Sequence, residues 1–121
     1  MVKELSKTIT LKGRSGEEYK FSLWSFEDFD DIKGTFTGAG LYLFTNRRLS
    51  DRGYKHTYIY LGETSDYYTR YNDYHKEECI KNHSSNCIGF YSMPNATEDE
   101  RKIAEEDLLG NYSFPCNTAN N

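Results

Sequence analysis

The sequence predicts an α+β domain: a small, mainly antiparallel three-stranded sheet flanked by helices, with an N-terminal β-hairpin extension. Two observations carry this. Short runs rich in aromatic and β-branched residues occupy 8–12, 19–24, 40–46, 57–62 and 87–93, with glycine, serine or asparagine near their ends. Stretches after Gly62 and after Thr97 show helical spacing or a helix-start signal instead. The resulting order, ββ(α)–ββαβα, is that of an α+β domain. At 121 residues the chain is most simply one domain, divided into an extension over 1–37 and a main body over 38–121.

Residues 7–24 read as a hairpin, Thr8–Lys12 and Tyr19–Trp24 joined by a turn with Gly13, Ser15 and Gly16. Ser25–Ile32 is a short acidic helical turn capped by Ser25. Residues 34–38 are a loop, and Gly40–Asn46 is a strand expected to pair antiparallel with 57–62. Residues 47–56, polar and basic, read as a solvated loop. Tyr58, Ile59, Tyr60 and Leu61 form the strand at the centre of the pattern, which breaks at Gly62. Ser65 or Asp66 caps the following helix, which carries Tyr67, Tyr71 and Tyr74 at helical spacing and is expected to run to about Lys81. Cys87–Met93 is the third sheet strand. Thr97 and Glu100 make a capping box for the last helix, which ends at Gly110, a residue suited to a left-handed cap.

Composition narrows the class. Aromatics make up 16% of the chain against 36% hydrophobic residues in all, so rings supply much of a modest core. The net charge of −4 argues against broad non-specific affinity for nucleic acid. It leaves room for a local basic patch: Arg47, Arg48, Arg52 and Lys55, with His56, form the most basic segment. No apolar run has the length of a membrane span and no signal-peptide pattern is evident, so a cytoplasmic location is expected. Cys79, Cys87 and Cys116 include no C-x-x-C pair, and reduced, buried thiols are expected.

Several residues are candidates for chemistry. With Ile103 at 0° on a helical wheel, Glu105 falls at roughly 200°, between Leu108 at roughly 140° and Leu109 at roughly 240°. A carboxylate inside the apolar arc needs a partner: an arginine such as Arg70, or a hard divalent cation. Tyr42 and Tyr60 lie beside glycines on neighbouring strands. Each is either core or a phenol that positions or deprotonates a water. Arg70 is a surface arginine or a bidentate phosphate ligand. His75 is a solvated helix residue or a general acid or base. His75, Cys79, His83 and Cys87 recur every four residues; ligands spread along one rigid helix cannot all meet one tetrahedral ion, but two, such as Cys79 and His83, can.

Taken together, Gly40-Leu41-Tyr42, Tyr60-Leu61-Gly62, Arg70, Glu105 within AEEDLLGNYSFPCN, and Asn117 resemble the GIY-YIG nuclease superfamily. The likeness spans roughly residues 38–117. It implies a metal-dependent endonuclease acting on nucleic acid, with DNA favoured over RNA as the partner. Glu105 would hold one divalent ion, Mg²⁺ or Mn²⁺, and Arg70 would bind the phosphate. Tyr42 and Tyr60 would position and activate the water, His75 matches a histidine common after the arginine, and Asn117 would brace the site. Both signatures carry leucine at the middle position. The segment between them is longer than in many members and holds Arg47, Arg48, Arg52 and Lys55, the candidate substrate-binding residues. No appended DNA-binding domain accompanies the likeness, so targeting would come from the domain, a homodimer or a protein partner. An inactive binding module of the same fold and a zinc-stabilised interaction domain are the alternatives.

Overall fold

The computed structural model describes residues 7–32, 38–51, 53–67 and 76–118. Five strands form one antiparallel sheet in the order β1-β2-β5-β3-β4. They are β1 (Lys7–Lys12), β2 (Glu18–Ser25), β3 (Gly40–Ser50), β4 (Gly53–Thr64) and β5 (Cys87–Ser92). The helices are α1 (Phe26–Ile32), α2 (Glu77–Asn82), α3 (Glu98–Leu109) and α4 (Pro115–Thr118). The α+β class holds, but the sheet has five strands rather than three. The N-terminal hairpin is no separate layer: Ser22–Ser25 pair with Phe90–Cys87, so β2 extends the sheet along the side of β5.

The sheet has apolar clusters on both faces. On one, Tyr19, Phe21, Leu23, Leu41, Leu43 and Leu61 meet Ala104 and Leu108 of α3 and Phe114 beyond it. On the other, Tyr42, Phe44, Ile88 and Phe90 meet Phe29 of α1 and Ile80 of α2. Strand alternation sends successive residues to opposite clusters. The register shifts between Phe44 and Thr45, where Phe44 faces Tyr60 but Thr45 faces Tyr58. This bulge lets Ile59 and Tyr60 both join the second cluster while Tyr58 packs on the first.

Local signals account for the helix starts. The Asp28 N–H donates to Ser25 Oγ at 3.1 Å, which makes Ser25 the cap of α1. Thr97 and Glu100 form the expected reciprocal capping box of α3. Asp107 of α3 accepts from the Ser15 N–H and hydroxyl and from the Tyr19 hydroxyl, tying the β1–β2 turn to the helix.

Five local expectations are corrected. Residues 47–56 are not a loop: β3 and β4 stay paired out to Ser50 and Gly53 as a two-stranded ribbon. β4 does not stop at Gly62 but continues to Thr64. No helix runs through to Lys81, because Lys76 takes φ 62 and α2 begins after it; the stretch 68–75 lies outside the described residues. Gly110 closes α3 at φ −73, an ordinary right-handed cap. Finally, Ile103 does not face the core. It is 66% exposed, and Arg101 is buried in α3 instead.

Candidate active site

Both signature glycines admit a tyrosine. Tyr42 of β3 faces Gly62 of β4, and a Cβ on Gly62 would fall inside the Tyr42 ring. Gly40, at φ 156, leaves room for the hydroxyl of Tyr67, which donates to the Tyr91 carbonyl. Tyr60 lies beside Tyr42 on the same face, ring centroids 5.9 Å apart. Tyr42 is buried and Tyr60 half-buried, so of the two Tyr60 presents more surface to solvent.

β4 is the last strand of the sheet, so one row of its backbone groups turns outward. Asn117 of α4 meets that row. Its Oδ1 accepts from the Leu61 N–H and its Nδ2 donates to the Leu61 carbonyl, both at 2.8 Å. Asn117 thus holds the outer edge of β4 at Leu61. Two residues further on, the Glu63 N–H donates to the Glu105 carboxylate. Glu105 thus reaches β4 at Glu63, from the strand edge, while the Tyr42 ring covers the neighbouring Gly62 from the sheet face.

Glu105 is half-buried, and burial pushes its carboxyl up to about 7. The neighbouring Glu63 and Glu106 raise it further, while Lys102 and the Glu63 N–H act in the opposite direction. Among the described residues no cation forms an ion pair with it. The available arginine goes elsewhere: Arg101 Nε bonds Glu63 Oε1 at 2.9 Å, and its guanidinium also donates to the Ala96 carbonyl. Neither Glu63 nor Arg101 was expected in the site. Charged residues in a polar stretch read as surface until the partner that neutralises them is known.

Arg70, His75 and Arg52 lie outside the described residues. Arg47, Arg48 and Lys55 stand on the β3–β4 ribbon, where Arg47 faces His56 and Arg48 faces Lys55. Arg48 is six residues from Tyr42, about 20 Å along the strand. Asn86 clamps the base of the ribbon, its side chain pairing with both the N–H and the carbonyl of Arg47. Beyond Arg47 the described residues provide no third strand.

The expectation of reduced cysteines is overturned. Cys79 and Cys116 form a disulfide, and only Cys87 is a free, buried thiol. Cys79 and His83 do lie together, as their spacing predicted. Their third neighbour is Cys116, which lies 37 residues from Cys79 and which no local spacing could have revealed; Cys87 is not part of the group.

No helix among the described residues is long and apolar enough to cross a membrane. Comparison with protein-family models, curated proteins and solved structures returns no match.

Proposed function

We propose that the chain is a GIY-YIG-type endonuclease that hydrolyses phosphodiester bonds in nucleic acid, DNA rather than RNA, with one Mg²⁺ or Mn²⁺ ion. The observation that carries this reading is Glu105: a half-buried carboxylate with no ion-pair partner among the described residues, set at the Glu63 N–H on the outer edge of β4. A hard oxygen donor whose ionisation is disfavoured by burial and by like charges suits a hard divalent cation. One protein carboxylate is an ordinary ligand count for Mg²⁺, whose remaining positions go to water and substrate phosphate. When bound, the ion supplies Lewis-acid polarisation of the phosphate and offsets charge on the leaving oxygen.

The chain's own residues divide the remaining work. Tyr60, the more exposed phenol, positions the attacking water and, in its ionised form, takes a proton from it. Tyr42 packs over Gly62 and sets the register of Tyr60 and Glu105. Asn117 holds the edge of β4 at Leu61. Arg70 is assigned to the phosphate and His75 to proton transfer from the sequence resemblance. The basic ribbon, with Arg47, Arg48 and Lys55, contacts phosphates away from the scissile bond, and Arg52 is assigned to the same role from the sequence. A two-stranded ribbon has the dimensions of a duplex groove, which supports duplex as the substrate.

A plasmid-nicking assay tests the proposal. Wild type is expected to cut with Mg²⁺ or Mn²⁺, and Glu105→Ala and Arg70→Ala are expected to lose cutting at least ~100-fold. Cutting that survives both substitutions refutes the assignment. Duplex binding without any metal-dependent cutting would leave only a non-cutting binding module of this fold.

A further inference from the structure

We propose a second metal site, for a soft divalent ion of the zinc type, formed by Cys79, His83 and Cys116 once their disulfide is reduced. It is independent of the nuclease reading.

Two elements converge on it. Cys79 lies in α2, His83 is the C-cap of α2, and Cys116 lies in α4. Their ligand atoms all fall within 4.8 Å of one another. His83 Nδ1 lies 3.7 Å from the Cys79 sulfur and 3.7 Å from the Cys116 sulfur. In a tetrahedral zinc site, with Zn–S near ~2.3 Å and Zn–N near ~2.0 Å, a nitrogen and a sulfur ligand sit about 3.5 Å apart. The imidazole already has that spacing to both sulfurs. Only the sulfurs must separate, which requires the bond between them to be reduced. Both cysteines are buried while His83 is exposed, so the ion can enter from the histidine side.

The chemistry balances. A dithiol reductant gives two electrons and two protons to the disulfide and is itself oxidised to a disulfide, leaving two thiols. Binding a divalent ion then releases both thiol protons to solvent. In the disulfide form His83 Nδ1 lies 2.9 Å from the Cys79 carbonyl, to which it donates. Ligation moves that proton to Nε2 and turns the Nδ1 lone pair to the ion. Water takes the fourth position.

The site bears on the sheet edge. Cys116 immediately precedes Asn117, whose side chain holds Leu61. Disulfide or metal fastens α4 to α2 and keeps Asn117 in place. The reduced, metal-free chain has neither link.

The test uses the full chain, reduced with a phosphine, freed of reductant without air, and titrated with Zn²⁺ or Co²⁺. Reduced wild type is expected to bind one ion per chain and, with Co²⁺, to show thiolate charge-transfer absorption. The oxidised chain is expected to show neither. Removing an outer-shell partner of a metal site weakens binding by about 10–100-fold, so losing a direct ligand, as in His83→Ala or Cys116→Ser, should cost more than ~100-fold. His83→Ala keeps both cysteines and changes an exposed residue, so it decides the matter even if Cys116→Ser fails to fold. Equal binding by His83→Ala and wild type overturns the site. So does reduced wild type binding no tighter than the Cys79→Ser/Cys116→Ser double variant, or equal binding by the oxidised chain.

Discussion

Replacing Glu105 with glutamine tests the central residue without any assay of activity. The carboxyl is pushed from an ordinary value of 4.5 up to about 7 in the fold, chiefly by burial. A carboxyl raised in this way supports the fold fully below its unfolded pKa, and that support is lost as pH rises through the folded value. The full shift corresponds to about 3 kcal/mol. Because the side chain is only half-buried, solvent screening reduces this to about 1 kcal/mol. Glutamine keeps an oxygen to accept from the Glu63 N–H but carries no charge. In metal-free buffer Glu105→Gln should therefore match wild type near about pH 4 and be more stable by about 1 kcal/mol near about pH 8, a rise in Tm of roughly 4 °C. Thermal melts with a chelator across that range read the difference. Millimolar Mg²⁺ should then raise wild type and leave the variant unmoved. A variant less stable than wild type at alkaline pH, or a gap that does not change with pH, refutes the placement of an unpaired carboxylate at this edge.

Other perturbations follow from the same geometry. Gly62→Ala forces a Cβ into the Tyr42 ring and should cost about 1–3 kcal/mol in urea unfolding; a neutral result refutes the seating of Tyr42. Asn117→Ala leaves the Leu61 N–H and carbonyl without their partner, at about 1–2 kcal/mol, and should speed hydrogen exchange at the Leu61 amide. Unchanged exchange at that amide would show that Asn117 does not hold the edge. Arg48→Glu combined with Lys55→Glu should weaken duplex binding and flatten its salt dependence by roughly 2 in slope, measured by anisotropy, and an unaltered slope would remove the ribbon from the interface.

The strands were legible because aromatic and branched residues alternate along them, and the pairing of Gly40–Asn46 with 57–62 followed. The ribbon was not legible. Arg47, Arg48 and Lys55 have weak strand preference; their pairing is propagated from the core strands behind them. Nor could local sequence say where the first hairpin docks, since the Trp24–Ile88 pairing joins residues 64 positions apart. Glu105 was found by its place on the wheel, although the wheel turned Ile103 inward. On that wheel Arg101 falls at roughly 160°, inside the buried arc, and its burial is offset by Glu63 on another element. The Cys79–Cys116 bond joins residues 37 positions apart, beyond what local spacing can show.

β4 ends the sheet, with one row of its backbone groups turned outward. An unpaired strand edge invites a strand from another molecule and so starts aggregates. Here the inviting groups are taken: Asn117 occupies Leu61, and an acidic side chain stands across the Glu63 N–H. The residues that would serve chemistry thus also act as gatekeepers for solubility. A chain cut before Cys116 would bare Leu61 and give a second copy a place to add its own strand.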